Sequence, residues 1–465
     1  MSGVWDAIVI GAGPAGMAAA TTLAEGGMRT VVFDEQAAPG GQIHRAVERN
    51  ARDAALGAVL GSDYAAGAAA AARLRESGAD LRFGTSVWRV DTDRSVWTRA
   101  GAGIVCHKAN ALVIASGAME RPVPVPGWTL PGVMTIGALQ ILLKDAGLRP
   151  DGRLVLAGCG PLFYLFAAQC LQAGATELVL LDTAAPGNVL PALRYLPAAM
   201  RGRGPHYLWK GLHLLAKLRR AGVKIHRGVS GLQIQGSRRA EAVAFNAGGR
   251  PGRVECDIVA LHEGVIPAQQ IARSLDCIHE WDELQLCFRP ALDRSGETSI
   301  PGVFIAGDGG GIVGAQASAH AGTLAALAIL RRADRLPDAE FLARHAAARR
   351  GLGSHMAIRP FLDRLYRPRR EVLEPADEVV VCRCEVVRAG DIREAARQGC
   401  IGPNQMKAFL RCGMGPCQGR MCGPAVSAII ARETGQSPAQ TGYYRIRPPL
   451  KPVTMAELAG ARAEE

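Results

Sequence analysis

The chain has 465 residues, room for two or three domains with their own cores, and its 48% apolar and 21% charged content is that of an ordinary globular protein. No run of 18 uncharged apolar residues occurs, which argues against a membrane span, and Met1-Ser2-Gly3-Val4-Trp5-Asp6 has no basic n-region or cleavage site. The formal charge of +12 comes without a nucleic-acid-binding motif, so nucleic acid is set aside as a partner. A cytoplasmic setting is expected, where cysteines stay as thiols or bind metal.

In chain order, Asp6 to Ile10 is a short apolar run suited to a buried parallel strand. Gly11-x-Gly13-x-x-Gly16 follows at once, then an Ala- and Leu-rich helical stretch from Met17 to Glu25 and a second strand, Thr30 to Phe33, ending in Asp34-Glu35. In such a βαβ unit Gly11 permits the tight turn, Gly13 lets the backbone approach a pyrophosphate, and Gly16 allows close helix–strand packing. The helix N-terminus, opening at Pro14 and Ala15, faces the phosphates. Asp34 is placed to accept from ribose hydroxyls, with Glu35 as the substitute. Pro39-Gly40-Gly41-Gln42 is a tight loop that could run beside a flavin ring, with Gln42 offering hydrogen bonds. Far downstream, Ala306-Gly307-Asp308-Gly309 follows another strand, and Asp308 is a candidate for a ribityl hydroxyl or a helix cap.

The pattern returns near residue 153: a strand from Arg153 to Ala157, a Gly158-Cys159-Gly160-Pro161 turn, a helix from Leu162 to Ala173, and a strand ending in Asp182. Here the third glycine position is Phe163, which predicts vestigial or altered nucleotide binding. Thr183 to Ala240 then holds eleven Lys and Arg and no Asp or Glu, either a solvated surface or a docking face for an acidic partner. Strands at Ile258 to Leu261 and Val303 to Ala306 are expected to return to the second and first sheets. Tyr366-Arg367-Pro368-Arg369-Arg370 reads as a linker after a basic helical segment.

Half of the twelve cysteines fall after position 381. Cys382-x-Cys384 and Cys417-x-x-x-x-Cys422, 32 residues apart, offer four thiolates in two close pairs, suited to a [2Fe–2S] cluster. A zinc site is the alternative, and Cys412 and Cys400 are spare thiols. No C-x-x-C accompanies the nucleotide units, so a reductase dithiol is not supported.

These residues, together with Ala115-Ser116-Gly117-Ala118-Met119-Glu120-Arg121-Pro122, Pro126-Gly127-Trp128-Thr129-Leu130-Pro131-Gly132 and the Arg447-Pro448-Pro449 tail, resemble the large flavoprotein subunits of bacterial heteromeric amine and imino-acid dehydrogenases. That group includes the larger chain of opine oxidase, the B chain of hydrogen cyanide synthase and the α chains of proline and D-hydroxyproline dehydrogenases. The resemblance implies an α/β, glutathione-reductase-like flavoprotein with two dinucleotide-binding domains and a small helical [2Fe–2S] domain like bacterioferritin-associated ferredoxin. It implies FAD at Gly11, Gly13, Gly16, Asp34, Gln42 and Asp308, with Pro14, Ala15, Glu35, Gly41, Ala115, Ser116, Gly117 and Gly307 as neighbouring candidates. It implies a cluster at Cys382, Cys384, Cys417 and Cys422.

The expected division is an FAD-binding domain in two parts, 1–150 and 286–335, and a second nucleotide-binding domain, 151–285. A helical linker, 336–378, the [2Fe–2S] domain, 379–436, and a tail, 437–465, follow. The expected partner is a smaller FAD-containing subunit that oxidises the C–N bond; a further small ferredoxin-like subunit is the other candidate. No catalytic base is assigned; His262 and Glu263 read as structural. Two rival readings remain: a self-sufficient NAD(P)H-dependent reductase using Gly158 and Gly160, and a non-catalytic module docking a ferredoxin-like protein.

Overall fold

The computed structural model describes residues 3–101 and 103–464. Its first sheet is built on Trp5–Ile10, whose residues are almost all buried, as a strand covered on both faces requires. Thr30–Asp34 and then Asp80–Phe83 lie parallel on one side of it. On the other side lies the long strand Gly103–Ile114, which serves two purposes. Its apolar second half runs parallel to Trp5–Ile10 and to Val303–Ile305, while its first half pairs antiparallel with Ser95–Ala100.

The second sheet is wholly parallel, in the order Lys224–Arg227, Leu178–Asp182, Leu154–Cys159, Ile258–Glu263, Val133–Thr135. Ile258–Glu263 and Val303–Ile305 thus return to the second and first sheets, as their patterns predict. A three-stranded antiparallel sheet, Ser230–Gln235, Ala242–Ala247 and Arg250–Glu255, flanks the second unit.

Helices Pro14–Glu25 and Ala315–Arg332 pack face to face, close enough that a Cβ on Gly322 would overlap the carbonyl of Ala15. This contact ties the end of the first nucleotide unit to its beginning, although some 300 residues separate them in sequence.

The basic segment after residue 336 forms helices Asp338–Met356 and Arg359–Leu365. Tyr366 to Arg369 differs from the linker expected there. Its backbone and side chains are bonded to the second unit: Asn188 Nδ2 donates to Arg367 O (3.2 Å) and Arg369 Nε to Thr183 O (2.8 Å). Four residues held by hydrogen bonds of this kind form a strap rather than a loose connection.

The cysteine-rich region folds around helices Ala389–Arg397, Pro403–Leu410 and Gly423–Thr434 with its own apolar core. It is seated on the second unit through Trp128, whose Nε1 donates to Val380 O (2.8 Å) and whose ring lies under the Arg383 guanidinium. The tail returns to the first unit. Leu450 N donates to Trp88 O, Arg462–Ala463 adds a strand to Gly103–Ile114, and Glu464 bonds Trp5 and His107. Among the described residues, no helix is long and apolar enough to cross a membrane.

Candidate functional site

The first glycine turn is shaped for a group brought close to the backbone. Gly11 has φ +101°, and a Cβ there would lie 2.6 Å from Ala115 O. A Cβ on Gly16 would overlap Gly11 O outright, so this helix can begin beneath its strand only with glycine. Asp34 holds the turn from below, accepting from Ala12 N (2.6 Å) and Gln36 N (2.8 Å). Burial pushes its carboxyl up, partly offset by those two backbone donors. Glu35 faces outward to Lys451 (2.8 Å), so Asp34, rather than its neighbour, is the acid against the glycine turn.

Gly40 N donates to Ala12 O (2.8 Å), and a Cβ on Gly41 would come 2.8 Å from Gly13 Cα. The Gly40-Gly41 loop is therefore clamped on the glycine turn and carries Gln42 to the mouth of a cavity. Ser116 Oγ donates to Ala268 O (3.1 Å), which fixes the crossing of the chain between the two units. Asp308 Oδ1 accepts from Val313 N (2.8 Å) and Gly314 N (2.7 Å), at the start of helix Ala315–Arg332. Its capping role is thus present, with its second oxygen available to a ligand. Gly307, at φ +75°, packs against Ala15. The residues picked from separate parts of the sequence converge on one turn, one loop and one helix start. The cradle, with Cβ-free surfaces facing a buried acid, fits a dinucleotide.

The second turn has the same backbone and a different environment. Gly158 again admits no Cβ, because His262 O lies against it. Phe163 fills the third glycine position and is fully buried. Asp182, the counterpart of Asp34, has both oxygens taken, by Tyr164 Oη (2.6 Å) and Ala184 N (2.9 Å). Cys159 Sγ donates to Glu263 (3.5 Å) and lies 3.6 Å from Tyr366 O, while Thr183 Oγ1 donates to Glu263 Oε1 (2.6 Å). Burial raises both the Cys159 thiol and the Glu263 carboxyl. The strap at Tyr366 to Arg369 crosses this turn, where phosphates would otherwise sit.

Between the two units lies a cavity of about 1620 Å³. Gln42, Asp308 and Gln316 line it from the first unit, Gly160 and His262 from the second, and Arg383 and Met421 from the cysteine-rich region. Sequence reasoning missed the pair His262–Glu120, joined at 2.7 Å, with the other Glu120 oxygen accepting from Gly137 N. The two side chains are 142 residues apart, and only the crossing strands bring them together.

The cysteines form two neighbouring groups. The sulfurs of Cys382, Cys412 and Cys422 all lie within 4.8 Å of one another, and all three residues are buried. Cys384 is exposed and hydrogen-bonded to Cys417. Donation from Cys412 and Cys422 holds the Cys382 thiol down to about 2. The glycines around them are needed for space. A Cβ on Gly415 would overlap Cys384, and one on Gly413 would lie 2.5 Å from Tyr444, whose hydroxyl reaches Cys422 at 3.8 Å. The four cysteines singled out in the sequence are thus brought together, with Cys412 among them as an unforeseen member. Cys400 is not: its thiol turns to Gly402 O. A set of soft thiolates in close pairs fits iron–sulfur or zinc chemistry.

Two nucleotide-type units in one chain, the first shaped for a dinucleotide, define an FAD-dependent oxidoreductase. Residues 5–323 match the model for pyridine nucleotide-disulphide oxidoreductases, and residues 379–462 match the sarcosine oxidase A3 domain. The chain is 51% identical to the larger chain (A) of the opine oxidase of Rhizobium meliloti (strain 1021), over 98% of each chain. It is 31% identical to HcnB, a component of the hydrogen cyanide synthase of Pseudomonas protegens, over 96% of each. Among solved structures, L-proline dehydrogenase from P. horikoshii shares the fold with a TM-score of 0.70 and 17% identity, covering 98% of this chain and 79% of that one. The protein belongs to the pyridine nucleotide-disulphide oxidoreductase family, in the branch that contains this opine oxidase component.

Proposed function

We propose that this chain is the electron-transfer subunit, carrying FAD and a [2Fe–2S] cluster, of a heteromeric oxidase or dehydrogenase. Its substrate is the C–N bond of an opine, a proline-like imino acid or a related amine. Bound in the first cradle and among the thiols, FAD and the cluster supply two-electron and one-electron redox chemistry respectively. The protein's part is to hold, orient and insulate them. Asp34 and the Gly11 to Gly16 turn hold the nucleotide, Asp308 and Gln42 stand at its far end, and Cys382, Cys384, Cys417 and Cys422 hold the cluster.

One observation carries the reading. Residues of the first unit and of the cysteine-rich region open onto a single cavity, whereas the second glycine turn is filled by the chain's own Phe163 and strap. An NAD(P)H-fed reductase would need that second turn free, so electrons come instead from a partner that oxidises the amine. The likeness to the opine oxidase component along the whole chain supports the substrate class. The test is oxidation of octopine, nopaline and proline coupled to a dye, by this chain alone and with the smaller flavoprotein subunit. Turnover is expected only with both present. Turnover of these amines by this chain alone would refute the division of labour.

The partner's approach is proposed at helix Gly204–Arg220. This helix lines the cavity with Tyr207 and Leu215, while Trp209 and Leu212 stand 63% and 67% exposed. Of the eleven basic residues between Thr183 and Ala240, only Lys210, paired with Asp63, forms an ion pair among the described residues. An apolar centre with unpaired cations around it suits an acidic-rimmed partner. Replacing Arg219, Arg220 and Lys224 by alanine is expected to weaken association at least about tenfold at low salt and to flatten its salt dependence, because steering charges are lost. Association measured by ultracentrifugation at two ionic strengths checks this; unchanged affinity at both would place the interface elsewhere.

A further inference from the structure

The cysteine-rich region holds one more sulfur than a four-thiolate cluster needs. A [2Fe–2S] cluster takes two protein thiolates on each iron. The proposed ligands already fall into two sets in space: Cys382 and Cys422 lie together, and Cys384 is hydrogen-bonded to Cys417. Cys412 is left over, and it is not remote. Its sulfur lies within 4.8 Å of both Cys382 and Cys422, and it is fully shielded from solvent. The chain aims it there: helix Pro403–Leu410 ends at Arg411 in the left-handed conformation, φ +58°, and the next residue turns inward. Tyr444, also buried, places its hydroxyl beside the same sulfurs.

Resting on the [2Fe–2S] reading, we propose that Cys412 is not a ligand. It keeps its thiol proton and donates an S–H hydrogen bond to the ligating sulfur of Cys382 or Cys422, raising the reduction potential of the cluster. A donor at a cluster sulfur draws off negative charge, and the reduced cluster, one electron more negative, gains more from it than the oxidised one. Because no water reaches Cys412, nothing competes with that bond, and the low local dielectric strengthens it. A buried cysteine is often only a small apolar filler. Cys400 supplies the contrast, being equally buried in the same core with its thiol turned to the Gly402 carbonyl and away from the group. The donor also sits on one side only. It therefore makes the iron held by Cys382 and Cys422 unlike the one held by Cys384 and Cys417, whose first sulfur is exposed.

The test uses the full-length chain, purified without oxygen, as wild type, Cys412→Ala and Cys412→Ser. Iron and sulfide are measured in each, and the reduced cluster is followed by electron paramagnetic resonance during a redox titration. Both variants are expected to keep the wild-type iron content. Cys412→Ala is expected to titrate at lower potential with shifted g-values, and Cys412→Ser, which retains a hydroxyl donor, to return most of the way. Loss of iron in both variants would make Cys412 a ligand and overturn the proposal, as would a Cys412→Ala potential and spectrum identical to wild type. Zinc, or no metal, in the wild-type chain would instead overturn the cluster reading, and the inference with it.

Discussion

Replacing Cys422 by serine is expected to strip the chain of its metal, from about two irons per chain to near none, while the flavin stays. Cys422 is fully buried, next to both Cys382 and Cys412, and directly precedes helix Gly423–Thr434. A serine oxygen is a hard, poorly acidic donor that does not replace a soft thiolate. Its position in a core of apolar side chains leaves no water to take its place. Iron analysis beside the flavin absorbance checks the prediction. Full iron retention in Cys422→Ser would remove Cys422 from the ligand set and leave Cys412 to replace it. The same measurement separates iron from zinc, which the donor set alone does not.

Gly16→Val is the second large effect, and its expected loss is of FAD. The valine Cβ would overlap Gly11 O, so the helix must lift from the strand and the glycine turn must open. Each 1.4 kcal/mol lost in binding is tenfold in affinity, and a displaced turn forfeits several backbone contacts at once, so flavin retention should fall by about a hundredfold or more. Circular dichroism and iron content show whether the rest of the molecule stands, since the cysteine-rich region has its own core. A less disruptive change tests the same site. Asp34→Asn keeps the volume but exchanges an acceptor-only group for an amide, and it should weaken FAD with the fold intact. Wild-type flavin content in both variants would remove the first glycine turn from the cofactor site.

Much of this architecture is legible in the residues themselves, and for a physical reason. A glycine turn between a buried strand and a helix imposes fixed spacings, so Gly11, Gly13, Gly16 and Asp34 announce their arrangement locally. Phe163 announces its departure in the same way, since a side chain at that position cannot be hidden. Paired cysteines late in the chain carry a similar local signal.

What stays hidden depends on distance. Tyr366 to Arg369 has the composition of a linker, yet Arg369 bonds the carbonyl of Thr183, 186 residues earlier. Nothing in residue type or periodicity encodes a bond to a distant backbone oxygen. Glu120 and His262 meet only because the crossing strands place them side by side, and Cys412 reads as a spare because its five-residue separation from Cys417 matches no common ligand spacing. Glu35 and Asp34 look interchangeable in sequence. The tail decides between them by supplying Lys451 to Glu35.

The most direct measurement is the visible spectrum of the anaerobically purified chain before and after adding NADH or NADPH, with dithionite as the control for reducibility. The flavin and iron–sulfur bands are predicted to stay oxidised with either nucleotide and to bleach with dithionite, as expected of a chain whose second glycine turn is filled by Phe163 and the Tyr366 to Arg369 strap. Prompt bleaching by NADH or NADPH would contradict this account, because it would mean that the second turn accepts a nicotinamide and that the protein is a reductase in its own right.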